Sequence, residues 1–185
     1  TPAVKVWKDG SKSSAKVVTG NAEAISAENW QGKSYSAANK VNIADYFEEN
    51  TQYHYQYTDN YTGDDSIWSA EYDYTTKATD KFSVILTGDP QVGASGSSSD
   101  YSANDASVAR DAYNWNKTMQ QALKTCPDAS FLLSAGDQIN QSGATKDNDK
   151  KTRESEYAGY LYPSVFRSLP IAATIGNHAV SYTHL

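Results

Sequence analysis

The stretch from Phe82 to Gly93 reads FSVILTGDPQVG, and its two halves decide the fold. Phe82–Leu86 is an apolar run of strand length, and Gly88-Asp89-Pro90-Gln91 is a sharp turn that delivers a carboxylate at its end. The construction recurs twice downstream. Phe131–Leu133 runs into Gly136-Asp137-Gln138-Ile139-Asn140, and Ile171–Ile175 runs into Gly176-Asn177-His178. Three buried strands are expected, presenting Asp, Asp and Asn-His in that order.

Between the first two strands lies a helical stretch. Val108, Ala112, Trp115, Met119 and Ala122 recur at three- and four-residue steps, which predicts a helix over 105–125 with one apolar face. Asn104 or Asp105 can cap its start, and Pro127 follows its end. Cys126 reads as a packing residue at that end. A second helix is expected from about Arg153 to Leu161, restarting after Pro163. Strand, helix and strand in this order predict a parallel sheet, whose ligand sites lie beyond the carboxyl ends of its strands. All three motifs stand there. Gly93–Ser102, rich in Gly and Ser, reads as a loop beside the first of them.

Before about Ala78–Lys81 the rhythm has period two. Tyr53, Tyr55 and Tyr57 alternate with His54 and Gln56, and Trp68, Ala70, Tyr72 and Tyr74 alternate with Ser69, Glu71 and Asp73. That pattern predicts antiparallel strands with one wet face. Val4–Trp7 and Ala15–Val18 read as earlier strands about a turn at Asp9-Gly10, and Val41 with Ile43 as a short one. Residues 21–38 carry no clear pattern. His54, on the polar face, reads as a solvated side chain, and the tyrosines as packing rather than a carbohydrate platform. The expected fold is mixed: an all-β unit over 1–78, then βαβ units of an α/β domain over 81–179.

Composition narrows the function classes. The chain has 185 residues, a net charge of −6 and a pI near 5.0, so phosphate backbones are repelled and nucleic-acid binding is not expected. No apolar stretch reaches membrane-spanning length, and no signal peptide opens the chain. The first residue is Thr1, so a processed or trimmed start is expected. Val180–Leu185 reads as the in-frame translation of a transposon end used in DNA library preparation. Those residues are expected to be foreign, with Ala179 standing where the natural sequence has Asp or Glu.

A carboxylate at a strand end is a hard oxygen ligand suited to Mg, Mn, Fe or Zn. Asp89, following an apolar strand, is expected to be partly desolvated, at a cost unless a cation partners it. Asp137 could bridge two ions, and Asn177 could lend a neutral carbonyl oxygen to the second. Gln91 reads either as a weak ligand or as a donor to one. His178 is then free as a general acid or to stabilise a transition state. Two ions about 3.5–4 Å apart can polarise a phosphoryl oxygen and activate a water.

The ordered set resembles the calcineurin-like metallophosphoesterases. It is most similar to bacterial proteins of the purple acid phosphatase type, which carry a fibronectin-like β-sandwich before the catalytic domain. Phe82–Gly93 resembles their first motif, Ser134–Asn140 (SAGDQIN) their second, and Leu169–His178 (LPIAATIGNH) the approach to their third. The resemblance implies that Asp89 binds the first metal, Asp137 bridges, Asn177 binds the second and His178 assists the reaction. It also implies a phosphate-ester substrate and a secreted or cell-surface setting.

Departures accompany it. Many relatives carry His where Gln91 stands, and purple acid phosphatases carry an iron-binding Tyr where Asn140 stands, so metal identity stays open. The family also uses histidine ligands from a second half-domain, and this chain has only His54, His178 and His184. The 185-residue chain is therefore expected not to hydrolyse phosphate esters efficiently by itself. The alternative reading is a non-catalytic extracellular binding or adhesion module with a degenerate phosphoesterase domain.

Overall fold

The computed structural model describes residues 1–96, 105–141 and 147–178. The expected cap at Asn104, the later part of the Gly93–Ser102 loop, Ala179 and Val180–Leu185 lie outside the described residues. The chain forms two compact units: Thr1–Ser26 with Ser36–Phe82, and Ala27–Tyr35 with Ser83–Leu185.

The first unit is built on strands β1 (Ala3–Lys8), β2 (Lys16–Thr19), β5 (Gln52–Thr58) and β6 (Tyr72–Thr75). They form an antiparallel sheet in the order β2-β1-β5-β6. The patternless segment is a hairpin of β3 (Asn21–Glu28) and β4 (Ser34–Lys40), a separate two-stranded sheet. Asn29 makes its turn, accepting at Oδ1 from the N–H groups of Gln31 and Lys33, each at 3.0 Å. Val41 and Ile43 form no strand. Asn42 Oδ1 accepts from the Ala44 N–H at 3.1 Å, and this local bond starts a 3-10 turn at Ala44–Tyr46 instead. The Trp68 strand begins only at Tyr72, although Ser69 still donates its N–H to the Tyr57 carbonyl at 2.9 Å.

The polar face of this sheet is drier than expected at His54, whose side chain is 15% exposed. The ring stacks on Trp7 at 5.8 Å. Its Nε2 lies 2.9 Å from Asp9 Oδ1 and its Nδ1 2.7 Å from Asp73 Oδ1, with Glu71 Oε1 at 3.4 Å. The expectation of a solvated histidine is corrected: three carboxylates converge on the ring because strands β1, β5 and β6 run side by side.

The second unit holds a parallel sheet in the order β7 (Ser83–Thr87), β8 (Ala129–Ser134), β9 (Ile171–Ala173). Helix α1 (Asp105–Thr125) joins β7 to β8, and α2 (Asp147–Tyr160), followed by a 3-10 turn at Ser164–Arg167, leads to β9. The apolar face read from α1 is the buried one: Val108, Ala112, Trp115 and Met119 join Ile85, Leu132 and Tyr160 in the core. Trp115 stacks on Tyr160 at 5.6 Å and donates its Nε1–H to the Tyr160 carbonyl at 3.0 Å. Cys126 packs against this core from the end of α1.

Strand β7 is not buried on both faces. Ile85 points into the core, whereas Val84 and Leu86 alternate with it and are 37% and 66% exposed. Helices cover one face of β7 and leave the other an apolar surface.

Candidate functional site

Three turns meet at the carboxyl end of the parallel sheet. Beyond β7 and β8 the backbones keep pairing through the motifs. The N–H of Asp89 donates to the Gly136 carbonyl at 3.3 Å, that of Gln91 to Asp137 at 2.9 Å, and that of Val92 to Gln138 at 3.1 Å. The Asn140 N–H returns the bond to the Val92 carbonyl at 3.1 Å, and Val92 and Ile139 form an isolated parallel bridge. The first two motifs are thus one hydrogen-bonded piece.

The third motif closes on the second through two glycines. A Cβ at Gly136 would lie 2.9 Å from the Gly176 Cα, and one at Gly176 would fall on the Asp137 carboxylate. Only hydrogens fit between these turns. The Asp137 side chain therefore lies against the Gly176 backbone, and its Oδ1 accepts the His178 N–H at 2.8 Å. The His178 ring points the other way, with Nδ1 2.5 Å from the Asn140 carbonyl oxygen. A carbonyl only accepts, so Nδ1 carries the proton and Nε2 is left for other partners.

Backbone strain is concentrated here. Among the described residues the non-glycine positions with φ in the left-handed region are Asn50, Asp89 (59°), Gln91 (37°) and Asp137 (46°). All but Asn50 belong to the motifs. Such conformations cost of order 1–3 kcal/mol each and persist where surrounding structure enforces them.

Burial differs from expectation at Asp89. Its side chain is exposed, because it stands at the end of an edge strand, and Oδ1 accepts from the Gln91 amide at 2.8 Å. Gln91 thus turns its amide nitrogen toward Asp89. Asp137 and His178 are half-buried, and Asn177 is exposed.

The arrangement brings together Asp89, Gln91, Asp137 and His178 on hydrogen-bonded turns, with Asn177 next to His178. Carboxylate and amide oxygens are the kind of group that suits a hard cation. Among the described residues no group of three or more His, Cys, Asp or Glu side chains is gathered to hold an ion.

Two supporting residues escaped the motif reading. Gln138 is buried, and its Nε2 donates to Ser134 Oγ at 3.0 Å and to the Thr174 carbonyl at 2.8 Å, tying the end of β8 to the segment after β9. Glu156 on α2 is 0% exposed, and its Oε2 accepts the Gln141 N–H at 2.7 Å. Burial pushes its carboxyl up to about 7, with the Gln141 and Asn140 backbone and Arg153 opposing and Asp111 adding to the rise. Their signal was position alone: Gln138 follows the Asp of the second motif, and Glu156 lies three and four residues before Gly159 and Tyr160 on one helix face.

No protein-family profile matches the chain, and no curated protein sequence does. Among solved structures it is similar to a purple acid phosphatase isolated from yellow lupin (Lupinus luteus) seeds, with a TM-score of 0.56 and 17% identity. The match covers 96% of this chain and 30% of that one, so the chain spans less than a third of the phosphatase's length. The likeness is one of fold alone, that of a mixed α/β chain to part of that structure.

Proposed function

We propose that the chain carries part of a metal-dependent phosphoester hydrolase site, with Asp89, Asp137 and Asn177 as metal ligands, Gln91 beside Asp89, and His178 as the catalytic group. The observation that carries this reading is the convergence of three strand-end turns on Asp137, with left-handed backbone at Asp89, Gln91 and Asp137. A pair of Fe, Zn, Mn or Mg ions would supply charge neutralisation of the phosphoryl oxygens and an activated water. The chain's own residues do the rest. Asp137 would serve as the bridging ligand, and Gln91, donating to Asp89 Oδ1, would orient that carboxylate. His178, with its proton fixed on Nδ1, presents Nε2 to a phosphate oxygen or leaving group. A fibronectin-like sandwich for the first unit and a secreted or cell-surface setting belong to the same reading.

Calorimetric titration of the 185-residue chain with Mn²⁺ and Zn²⁺ tests the proposal. Binding is expected, and Asp137→Asn is expected to weaken it at least about tenfold, or 1.4 kcal/mol. No binding, or binding indifferent to that substitution, would sink the reading. Turnover of an aryl phosphate by the same chain is expected to be negligible, because the further histidine ligands that the resemblance calls for are not among its residues. Gln91 and Asn140, standing where the resembled family carries His and Tyr, favour a second reading, a binding module whose phosphoesterase unit no longer turns over, in which Asp137→Asn changes nothing.

A further inference from the structure

The Asn140–Gln141 peptide is gripped at both ends. Its N–H donates to Glu156 Oε2 at 2.7 Å, and its carbonyl oxygen accepts from His178 Nδ1 at 2.5 Å. A peptide group is planar and rigid, so fixing the N–H fixes the direction of the carbonyl. A carboxyl oxygen on the N–H side also polarises the group and strengthens the carbonyl as an acceptor. The outcome on the far side is a chosen tautomer: the His178 proton sits on Nδ1 and Nε2 faces outward.

Glu156 is otherwise costly where it stands. It is wholly buried, and its second oxygen, Oε1, has no hydrogen-bond partner among the described residues. An apolar side chain of the same volume would fill the space without that penalty. The neighbouring loop is held alike: Asp111 on α1 accepts at Oδ2 from the N–H groups of Gly93 at 2.9 Å and Ser95 at 3.1 Å. Each helix thus sends one carboxyl group into the backbone that follows a motif. Gly159 lets α2 come close enough, since a Cβ there would lie 2.9 Å from Val92 Cγ1.

We propose that Glu156 is a positioning residue for His178, acting through the Asn140–Gln141 peptide to hold the Nδ1–H tautomer and leave Nε2 for the phosphate ester. What the tautomer serves rests on the hydrolase reading; the relay itself does not.

The test uses two nearly isosteric variants of the whole chain. Glu156→Gln keeps an acceptor oxygen, and Glu156→Met removes it. Nitrogen-15 NMR at about pH 8.5, where an ordinary imidazole is neutral, reports the His178 tautomer, with His54 as an internal reference. Amide exchange reports the Gln141 N–H. Glu156→Gln is expected to keep both as in the wild type. Glu156→Met is expected to lower Gln141 protection at least about tenfold and shift His178 toward the Nε2–H form that free imidazoles favour, with Met119 protection in α1 unchanged. The relay is overturned if Glu156→Met leaves His178 and Gln141 as they were, if Gln acts like Met, or if α1 loosens equally. A wild-type chain that binds no Mn²⁺ while Glu156→Met still releases His178 would sink the hydrolase reading and leave the relay standing.

Discussion

His54 shows how one residue can tie three strands together. Both ring nitrogens face carboxylates, Asp9 on one side and Asp73 on the other, and both can donate only when the ring is an imidazolium. The hydrogen bond to Asp9 is the largest cause raising its pKa above the ordinary 6.5, with burial opposing it and Asp73 and Glu71 adding to it. A raised folded-state value means stability fully present below pH 6.5 and lost as pH rises through the folded value. His54→Gln is therefore expected to lower the melting temperature most in mild acid, and the gap from wild type should close as the solution becomes alkaline. A gap that stays constant with pH would mean that the Trp7 stack, not the charge, is what the ring contributes. None of this was legible in the sequence. Alternation put His54 on the polar face, but three carboxylates at positions 9, 71 and 73 meet it only after strand pairing sets the register.

Local elements were more legible than their neighbours. The 3.6-residue spacing of Val108, Ala112, Trp115 and Met119 gave α1 its limits and its buried face, because a long amphipathic repeat has one stable reading. The hairpin β3–β4 was not legible, since most of its side chains are exposed and no apolar alternation marks it. The strand-end turns could be read from Gly-Asp after an apolar run. The backing by α2 could not, as it depends on Gly159 at a helix crossing. Gly159→Ala tests that contact. A Cβ there meets Val92 Cγ1 at 2.9 Å and Val108 Cγ1 at 3.1 Å inside the core. Overpacking costs about 1–3 kcal/mol, and the gain in helix propensity offsets about 1 kcal/mol of it. A net loss of about 1 kcal/mol in urea denaturation is expected, and an unchanged or higher midpoint would show that α2 has room to move.

At the scale of the molecule, β7 of the second unit exposes apolar side chains among the described residues. Val84 and Leu86 are exposed apolar side chains on an edge strand, and Ile175, past the end of β9, is 74% exposed. Edge position and apolar exposure together make association between copies favourable. Leu86→Lys is expected to reduce binding of a hydrophobic dye and raise the concentration at which scattering begins. Its change in stability should stay within about 0.5 kcal/mol, as for surface positions generally. Equal scattering from both proteins would place the sticky surface elsewhere. The left-handed turns at Asp89, Gln91 and Asp137 have a different consequence, one for the chain's history. Glycine would occupy all of these positions at lower conformational cost. A library screened only for heat resistance should drift toward it there, erasing both carboxylates as it goes, so durability and ion capture compete for the same codons.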